Sequence, residues 1–267
     1  MITKLYPYGK RKAFNVSYDD GILQDVRFVN LLNKYGIKGT FNLNSGLLET
    51  EFEWTHSNGS IIKRLPISDV VALYDGHEVA SHTLTHPYMY ELSKEDIMYQ
   101  LSTDKANLEK LFNREIKGFA IPFDYCSDLI VSCSKECGFY YMRISDESLS
   151  FAPPTDFHRW ESSIFHCRES LKQLTSEFIN CSDELALYQI VGHSYDLDTE
   201  NKWDDIEEIF KTITAQPDIL PMTHIEVVEY LTAMNNVVIT ENSIENNSSI
   251  SLWFDIDGKI CEIKPTT

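Results

Sequence analysis

Short apolar runs alternate with amphipathic stretches along the chain, and several of the runs break off at polar residues. Ala13, Phe14 and Val16 read as a strand that runs into Ser17-Tyr18-Asp19-Asp20-Gly21. Val26, Phe28, Val29, Leu31, Leu32 and Tyr35 then recur at helical spacing and stop at Gly36, and Gly39 to Asn44 reads as a second strand. Strand, helix and strand in this order make a βαβ unit. The segment on to Pro66 is loop-like, with Trp54, His56 and Asn58-Gly59, and Ser68-Asp69 cap a short helix through Tyr74. That loop is placed to wall a cleft, with Trp54 either facing a ligand or pinning the loop.

The alternation continues. Glu78-Val79-Ala80-Ser81 is a strand ending in His82-Thr83-Leu84-Thr85-His86-Pro87, and Ser93 caps a helix whose face carries Ile97, Leu101, Leu108, Leu111 and Phe112. Lys117 to Ala120 is a strand, Ser127 to Cys137 a helix ending at Gly138, and Phe139 to Ile144 the next strand. Ser150 to His166 reads as irregular and as the place for substrate-specific contacts, with His158 and His166 structural or substrate-facing. Leu171 to Ile179 is amphipathic. Leu185 to Val191 is nearly all apolar, as a strand covered on both faces should be, and leads into Gly192-His193. Helices over Asp204–Thr214 and Thr223–Asn235 follow, and Asp257-Gly258 between two strand-like runs predicts a terminal hairpin. The expected architecture is an α/β barrel over residues 1–238 with a β-hairpin extension over 239–267, its chemistry at the C-terminal ends of the strands.

Candidate chemistry sharpens this picture. Adjacent strand residues point to opposite faces, so Asp19 and Asp20 serve one site only if the strand breaks at Asp20, which Gly21 permits. Two carboxylates can then divide into an ionised metal ligand and a proton acceptor. His82 and His86, four apart before a proline, suit two imidazoles on one metal ion. Pro122 at a strand exit leaves the next N–H, that of Phe123, free to point into a site as an oxyanion donor.

Composition excludes some classes. A formal net charge of −18 disfavours nucleic acid, anionic membranes and polyanionic glycans, and a neutral or cationic substrate fits better. Six cysteines without a Cys-x-x-Cys pair read as reduced core thiols. The first residues have no apolar signal core and no later stretch is long enough to span a membrane, so the expected location is cytoplasmic.

The two motifs together resemble the polysaccharide deacetylase family, the NodB-homology group of carbohydrate esterases, in which an Asp-Asp pair and His-(Ser/Thr)-x-x-His are the first two signatures. Tyr18-Asp19-Asp20 and His82-Thr83-Leu84-Thr85-His86 match them. Gly118-Phe119-Ala120-Ile121-Pro122-Phe123 is similar to the third motif, and Gly192-His193-Ser194-Tyr195-Asp196 to the last. The resemblance covers roughly residues 14–234. It implies a distorted, incomplete (β/α) barrel, Asp20, His82 and His86 as metal ligands, Asp19 as base and His193 as acid. It implies a divalent ion, zinc foremost, with cobalt, iron, manganese or nickel also served by such ligands, and removal of an acetyl group, foremost N-acetyl, from a carbohydrate. Hydrolysis of another non-peptide C–N bond and non-catalytic glycan binding are the other readings. Pro122, Trp160 and Tyr195 are the expected substrate contacts; the oligomeric state is left open.

One departure stands out. The third motif of the family opens with an arginine that orients the base, and here that position is Ala120. Arg143, at the end of the following strand, is the expected replacement, with Arg159 beside Trp160 as its rival. The fourth motif, an Asp and Trp pair in the family, has only a loose counterpart in Asp156 to Trp160.

Overall fold

The computed structural model describes residues 2–48, 53–123, 125–240 and 243–266. Strand β1 (Ile2–Leu5) precedes β2 (Lys12–Asp19), helix α1 (Asp25–Lys34) and β3 (Thr40–Leu43). A hairpin of β4 (Glu53–Thr55) and β5 (Ile61–Lys63) leads to α2 (Ile67–Leu73) and β6 (Glu78–Ser81). Next come α3 (Lys94–Phe112), β7 (Gly118–Ala120), α4 (Asp128–Glu136), β8 (Tyr141–Glu147), β9 (Trp160–Ser162) and β10 (Ile164–Phe165). Helix α5 (Leu171–Asn180), β11 (Ala186–Gly192), α6 (Ser194–Thr199), α7 (Trp203–Thr214), β12 (Ile219–Pro221) and α8 (His224–Asn235) follow. The chain ends in β13 (Val238–Ile239), β14 (Ile244–Glu245), β15 (Leu252–Ile256) and β16 (Lys259–Ile263).

Eight parallel strands run in the order β10-β11-β2-β3-β6-β7-β8-β9, and β12 adds to the first half of β2. The two ends of that order are consecutive in sequence. β9 pairs with β8, Ser163 donates its N–H to Gln189 O at 3.1 Å, and β10 pairs with β11, so the sheet curls into a nearly closed barrel. This is the (β/α) barrel that the alternation of strands and helices predicts.

Burial explains the pattern. Every position of β2 and β11 is buried, because a parallel strand here has a helix layer on one face and the barrel interior on the other. Outside, Phe28 of α1 stacks on Tyr18 at 3.7 Å between centroids, and Phe210 of α7 lies edge-on to Phe14. Each such side chain contributes roughly 1.5–3 kcal/mol by leaving water. Ser93 caps α3 as expected, Ser127 caps α4, and Thr223 with Glu226 forms a full capping box on α8. Asp257 (φ 52°) and Gly258 (φ 84°) turn the β15–β16 hairpin with both residues left-handed, the type I′ requirement. Strand β1 pairs antiparallel with β15, so the hairpin shares its sheet with the N-terminal residues.

Three local expectations are corrected. The segment before Pro66 holds the β4–β5 hairpin, with Asn58-Gly59 at its tip. Ser68 does not cap α2: the N-cap is Pro66, and the Ser68 hydroxyl donates to the Asp69 carboxylate at 2.7 Å. Residues 150–166 are not wholly irregular, since β9 and β10 lie there; strands of two or three residues with serines between them are set by their partners across the sheet rather than by a pattern of their own. Among the described residues, no helix is long and apolar enough to cross a membrane, and all six cysteines are unpaired, only Cys133 being fully buried.

Candidate metal and catalytic site

Four strands of the barrel, β11 beside β2 and β6 beside β7, deliver polar groups to one end of it. β2 ends at Asp19, β6 at Ser81 before His82, β7 at Ala120 and β11 at Gly192 before His193. The chain turns sharply at these exits, for Asp20 (φ 87°), Thr83 (φ 69°), His86 (φ 54°) and Phe123 (φ 59°) all adopt left-handed backbone. Each such residue costs of order 1–3 kcal/mol, and that cost collects at functional sites. The break at Asp20 lets both aspartates line the same pocket of about 340 Å³, together with His82, His86, Phe123, Arg143, His193 and Tyr195.

The ligand atoms of Asp20, His82 and His86 lie within 4.8 Å of one another, close enough to hold one ion. Their chemistry fits a divalent metal. The Nδ1 of His82 donates to the Ala120 carbonyl at 2.8 Å, which leaves Nε2 as the lone-pair donor. Burial pushes His82 down to about 4 and lowers His86 as well, so both imidazoles are neutral, as metal ligation requires. Burial alone would raise the Asp20 carboxyl, but Arg64, together with His193, His82 and His86, reverses this and holds the group well below the usual carboxylate range. Arg64 Nη1 donates to Asp20 Oδ1 at 2.9 Å and to Asn44 Oδ1 at 3.1 Å, and also to the Asp20 carbonyl. Asn44 in turn donates to the carbonyls of His82 and Thr83, tying β3 to the histidine turn.

Asp19 sits in a different setting. Its Oδ1 accepts from Asn42 Nδ2 at 2.8 Å and from the Arg143 guanidinium. Burial would raise this carboxyl; Arg143, with His82 and His193 beyond it, more than reverses that and keeps it ionised. Ala120 and Arg143 are register partners on β7 and β8, so the guanidinium enters one strand over from the motif position that lacks it. Arg159, the rival, lies outside, paired with Asp128 and Asp156.

His193 is held from its other side. Its Nδ1 lies 2.9 Å from Asp196 Oδ2, and the same oxygen is 3.7 Å from Nε2 of His166, whose Nδ1 accepts from the Tyr18 hydroxyl at 2.5 Å. Gly192 is needed beneath this group, because a Cβ there would sit 2.6 Å from the His166 ring. Burial would lower His193, but the Asp196 hydrogen bond and the two site aspartates raise it to about 9, so the imidazole carries its proton at neutral pH.

The other expected contacts divide. Tyr195 stacks on His193 with centroids 4.9 Å apart and closes one wall. Pro122 is buried and lies outside the pocket lining, serving to position Phe123, whose N–H makes no hydrogen bond among the described residues. Trp160 is a correction: it is 2 % exposed and packs against Tyr141 and His224 in a separate core cluster, so it cannot touch a substrate. Asp156 is also elsewhere, capping a 3-10 turn through His158 N–H. Arg64, Asn42, Asn44 and Asp196 are members of the site to which no role was assigned beforehand, and His166, read as structural or substrate-facing, is buried between Tyr18 and Asp196. Only Asp196 had a legible signal, three residues after His193.

The polysaccharide deacetylase family model matches residues 7–142, about half of the chain. The chain belongs to the polysaccharide deacetylase family. Its barrel is shared with the family 4 carbohydrate esterase domain of a xylanase from a Trinervitermes trinervoides hindgut metagenome (TM-score 0.56, 16% identity, 84% of this chain and 92% of that one). A variant of the peptidoglycan deacetylase PdaC from Bacillus subtilis is similar to the same degree (TM-score 0.55, 15% identity, 87% and 94%). So is BA3943 of Bacillus anthracis, a pseudoenzyme of that family (TM-score 0.53, 16% identity, 85% and 68%), a mutant of which has restored enzymatic activity. At these identities the likeness is one of fold. Among curated sequences the chain is 28% identical over 108 residues to the uncharacterized protein YlxY of Bacillus subtilis, a match that spans 29% of that protein and 40% of this one.

Proposed function

We propose that this deacetylase-family barrel is a metal-dependent hydrolase that removes an acetyl group, foremost N-acetyl, from a carbohydrate. The observation that carries the reading is that one pocket holds the Asp20–His82–His86 cluster, an Asp19 kept ionised and a His193 kept protonated. Two titratable groups pushed apart in this way are the signature of an assigned base and acid.

A divalent ion held by Asp20, His82 and His86, zinc foremost, would supply Lewis acidity to the acetyl carbonyl and lower the pKa of water from about 16 towards 7. Asp19, fixed by Arg143 and Asn42, takes the proton of the attacking water. The Phe123 N–H donates to the oxygen that gains charge. His193 gives its proton to the leaving nitrogen or oxygen, with Asp196 holding the ring in place. The Ala120 departure is what favoured a non-catalytic reading, and Arg143 on the Asp19 carboxylate supports catalysis against it.

Acetate release should be measured over N- and O-acetylated sugars with zinc, cobalt, manganese, nickel or iron(II) added to chelator-stripped protein. Metal-dependent acetate release from at least one is the expected result. Turnover of a small amide or cyclic ureide without acetate release from any sugar would move the assignment to another C–N hydrolase, and no turnover of either to a binding protein.

A further inference from the structure

Behind the pocket lies a carboxylate that the proposed reaction does not use. Asp25, in the first turn of α1, is 0% exposed, and among the described residues no cation pairs with it. Its Oδ1 accepts from the Ser194 hydroxyl at 2.5 Å, and its Oδ2 from the Tyr74 hydroxyl at 2.5 Å and the Ile22 N–H at 3.3 Å. Burial raises this carboxyl to about 7; the three hydrogen bonds work against the rise and the Asp20 charge adds to it. An acid that only complements a helix dipole can stay in water, whereas burying one without a counter-ion is costly. The two hydroxyls come from residues 49 and 169 positions away, so local capping does not account for the arrangement.

The donors belong to different parts of the frame. Ile22 lies two residues past Asp20 and bridges Arg64, and the Leu65 N–H donates to the Gly21 carbonyl at 2.9 Å, so the chain leaving Asp20 and the one carrying Arg64 form one unit. Ser194 directly follows His193, and the Asp196 N–H donates to the His193 carbonyl at 3.1 Å, so acid and carboxylate share one turn with Ser194. Tyr74 closes α2, which carries none of the site residues. The β2–β11 ladder ends at the Tyr18–Gly192 pair, and beyond it the carboxylate of Asp25 links the two exits. We infer that Asp25 is a positioning residue: by accepting from both exits it sets the separation between the metal-ligand turn and the acid turn, touching neither substrate nor ion. The inference rests on the deacetylase reading. Asp20 leaves β2 in a left-handed turn (φ 87°), which persists only where its surroundings fix it, and a displacement of about 1 Å between reacting groups can cost about a hundredfold in rate.

Four substitutions separate positioning from support. Ser194→Ala and Tyr74→Phe each remove one 2.5 Å bond to the same buried carboxylate, the first at the acid turn and the second at a helix outside the site. Asp25→Asn can keep all three contacts by turning its amide nitrogen to the Ser194 oxygen, and Asp25→Ala keeps none. With zinc bound, Ser194→Ala and Asp25→Ala should lower kcat for acetate release by about tenfold or more, with KM and zinc content unchanged. Tyr74→Phe should lower Tm as much as Ser194→Ala does and leave kcat nearly unchanged, and Asp25→Asn should keep most of its kcat. Should Asp25→Ala not fold, the Ser194→Ala and Tyr74→Phe pair decides. Equal loss of kcat in that pair, in step with Tm, overturns the inference, since Asp25 then only supports the fold. An Asp25→Asn protein with kcat down by the same tenfold also overturns it, since charge then matters instead of the contacts. If the wild type releases no acetate from any sugar, the deacetylase reading falls, and the positioning is judged by following the His193 imidazole by NMR in the zinc-loaded protein. A His193 that loses its proton at lower pH in Ser194→Ala than in the wild type or Tyr74→Phe sustains the inference, because the acid turn has then moved away from Asp19 and Asp20. Equal titration in all three overturns it.

Discussion

Arg143 donates to the carboxylate of Asp19 from the strand position paired with Ala120. The guanidinium therefore reaches Asp19 from the strand beside Ala120, and in the proposed reaction it should orient the base. Arg143→Ala should lower kcat by about one to two orders of magnitude while leaving metal content unchanged, the usual cost of losing an orienting partner. Adding Ala120→Arg to that variant should recover part of the loss, as steady-state kinetics would show. Full activity in Arg143→Ala would mean that Asn42 alone holds the base.

The metal set and the base have separable signatures. His82→Ala and His86→Ala should each lower bound metal well below the about one ion per chain expected of an open catalytic site. Asp19→Asn should keep the metal and lose turnover, and His193→Ala should cost about 10²–10⁴ in rate. Elemental analysis beside kinetics checks all four. Equal metal loss in Asp19→Asn and Asp20→Asn would refute the division between the two carboxylates.

If His193 is the acid of the proposed reaction, it should set the alkaline side of the pH profile. Its folded value, raised to about 9 from the ordinary 6.5, means that the protonated form gains stability from the fold. That gain is complete below pH 6.5 and disappears as pH rises through 9. Activity that needs the proton should therefore persist through neutral pH and fall near 9. Asp196→Asn removes the hydrogen-bonded carboxylate and should shift this limb to lower pH by about a unit or more, with a smaller change at pH 6. A limb that stays in place would show that Asp196 does not act on the acid.

The parts of the site that were legible in the chain share one property. Asp19, Asp20, His82, His86 and His193 each follow an apolar run whose period reveals a strand, so the strand end placed the residue. Arg143 was reachable by the same logic, as the last cation on the strand beside Ala120. Arg64 was not: the β4–β5 segment that carries it has no period, and its guanidinium reaches Asp20 only because a hairpin folds over the barrel end. Trp160 misled for the converse reason. Its polar neighbours read as a surface loop, whereas Tyr141 and His224, distant in sequence, bury it.

Arg64 also separates the empty site from the loaded one. It and Asp20 are both buried, with side chains 4% and 7% exposed, and their 2.9 Å contact compensates a carboxylate that would otherwise stand uncovered against a protein interior. Removing one partner of such a pair typically costs about 3–5 kcal/mol, because the remaining charge has lost its counter-ion. A divalent cation held by Asp20 would supply that counter-charge itself. Arg64→Met should therefore destabilise the chelator-stripped protein much more than the metal-loaded one. By linkage, the gain in Tm on adding metal should be larger in the variant than in the wild type. Thermal denaturation of both proteins with and without zinc measures the two gains directly. A gain in the variant equal to or smaller than that of the wild type would mean that Arg64 acts by aiming the ligand rather than by neutralising it, and metal affinity would then fall instead of rising.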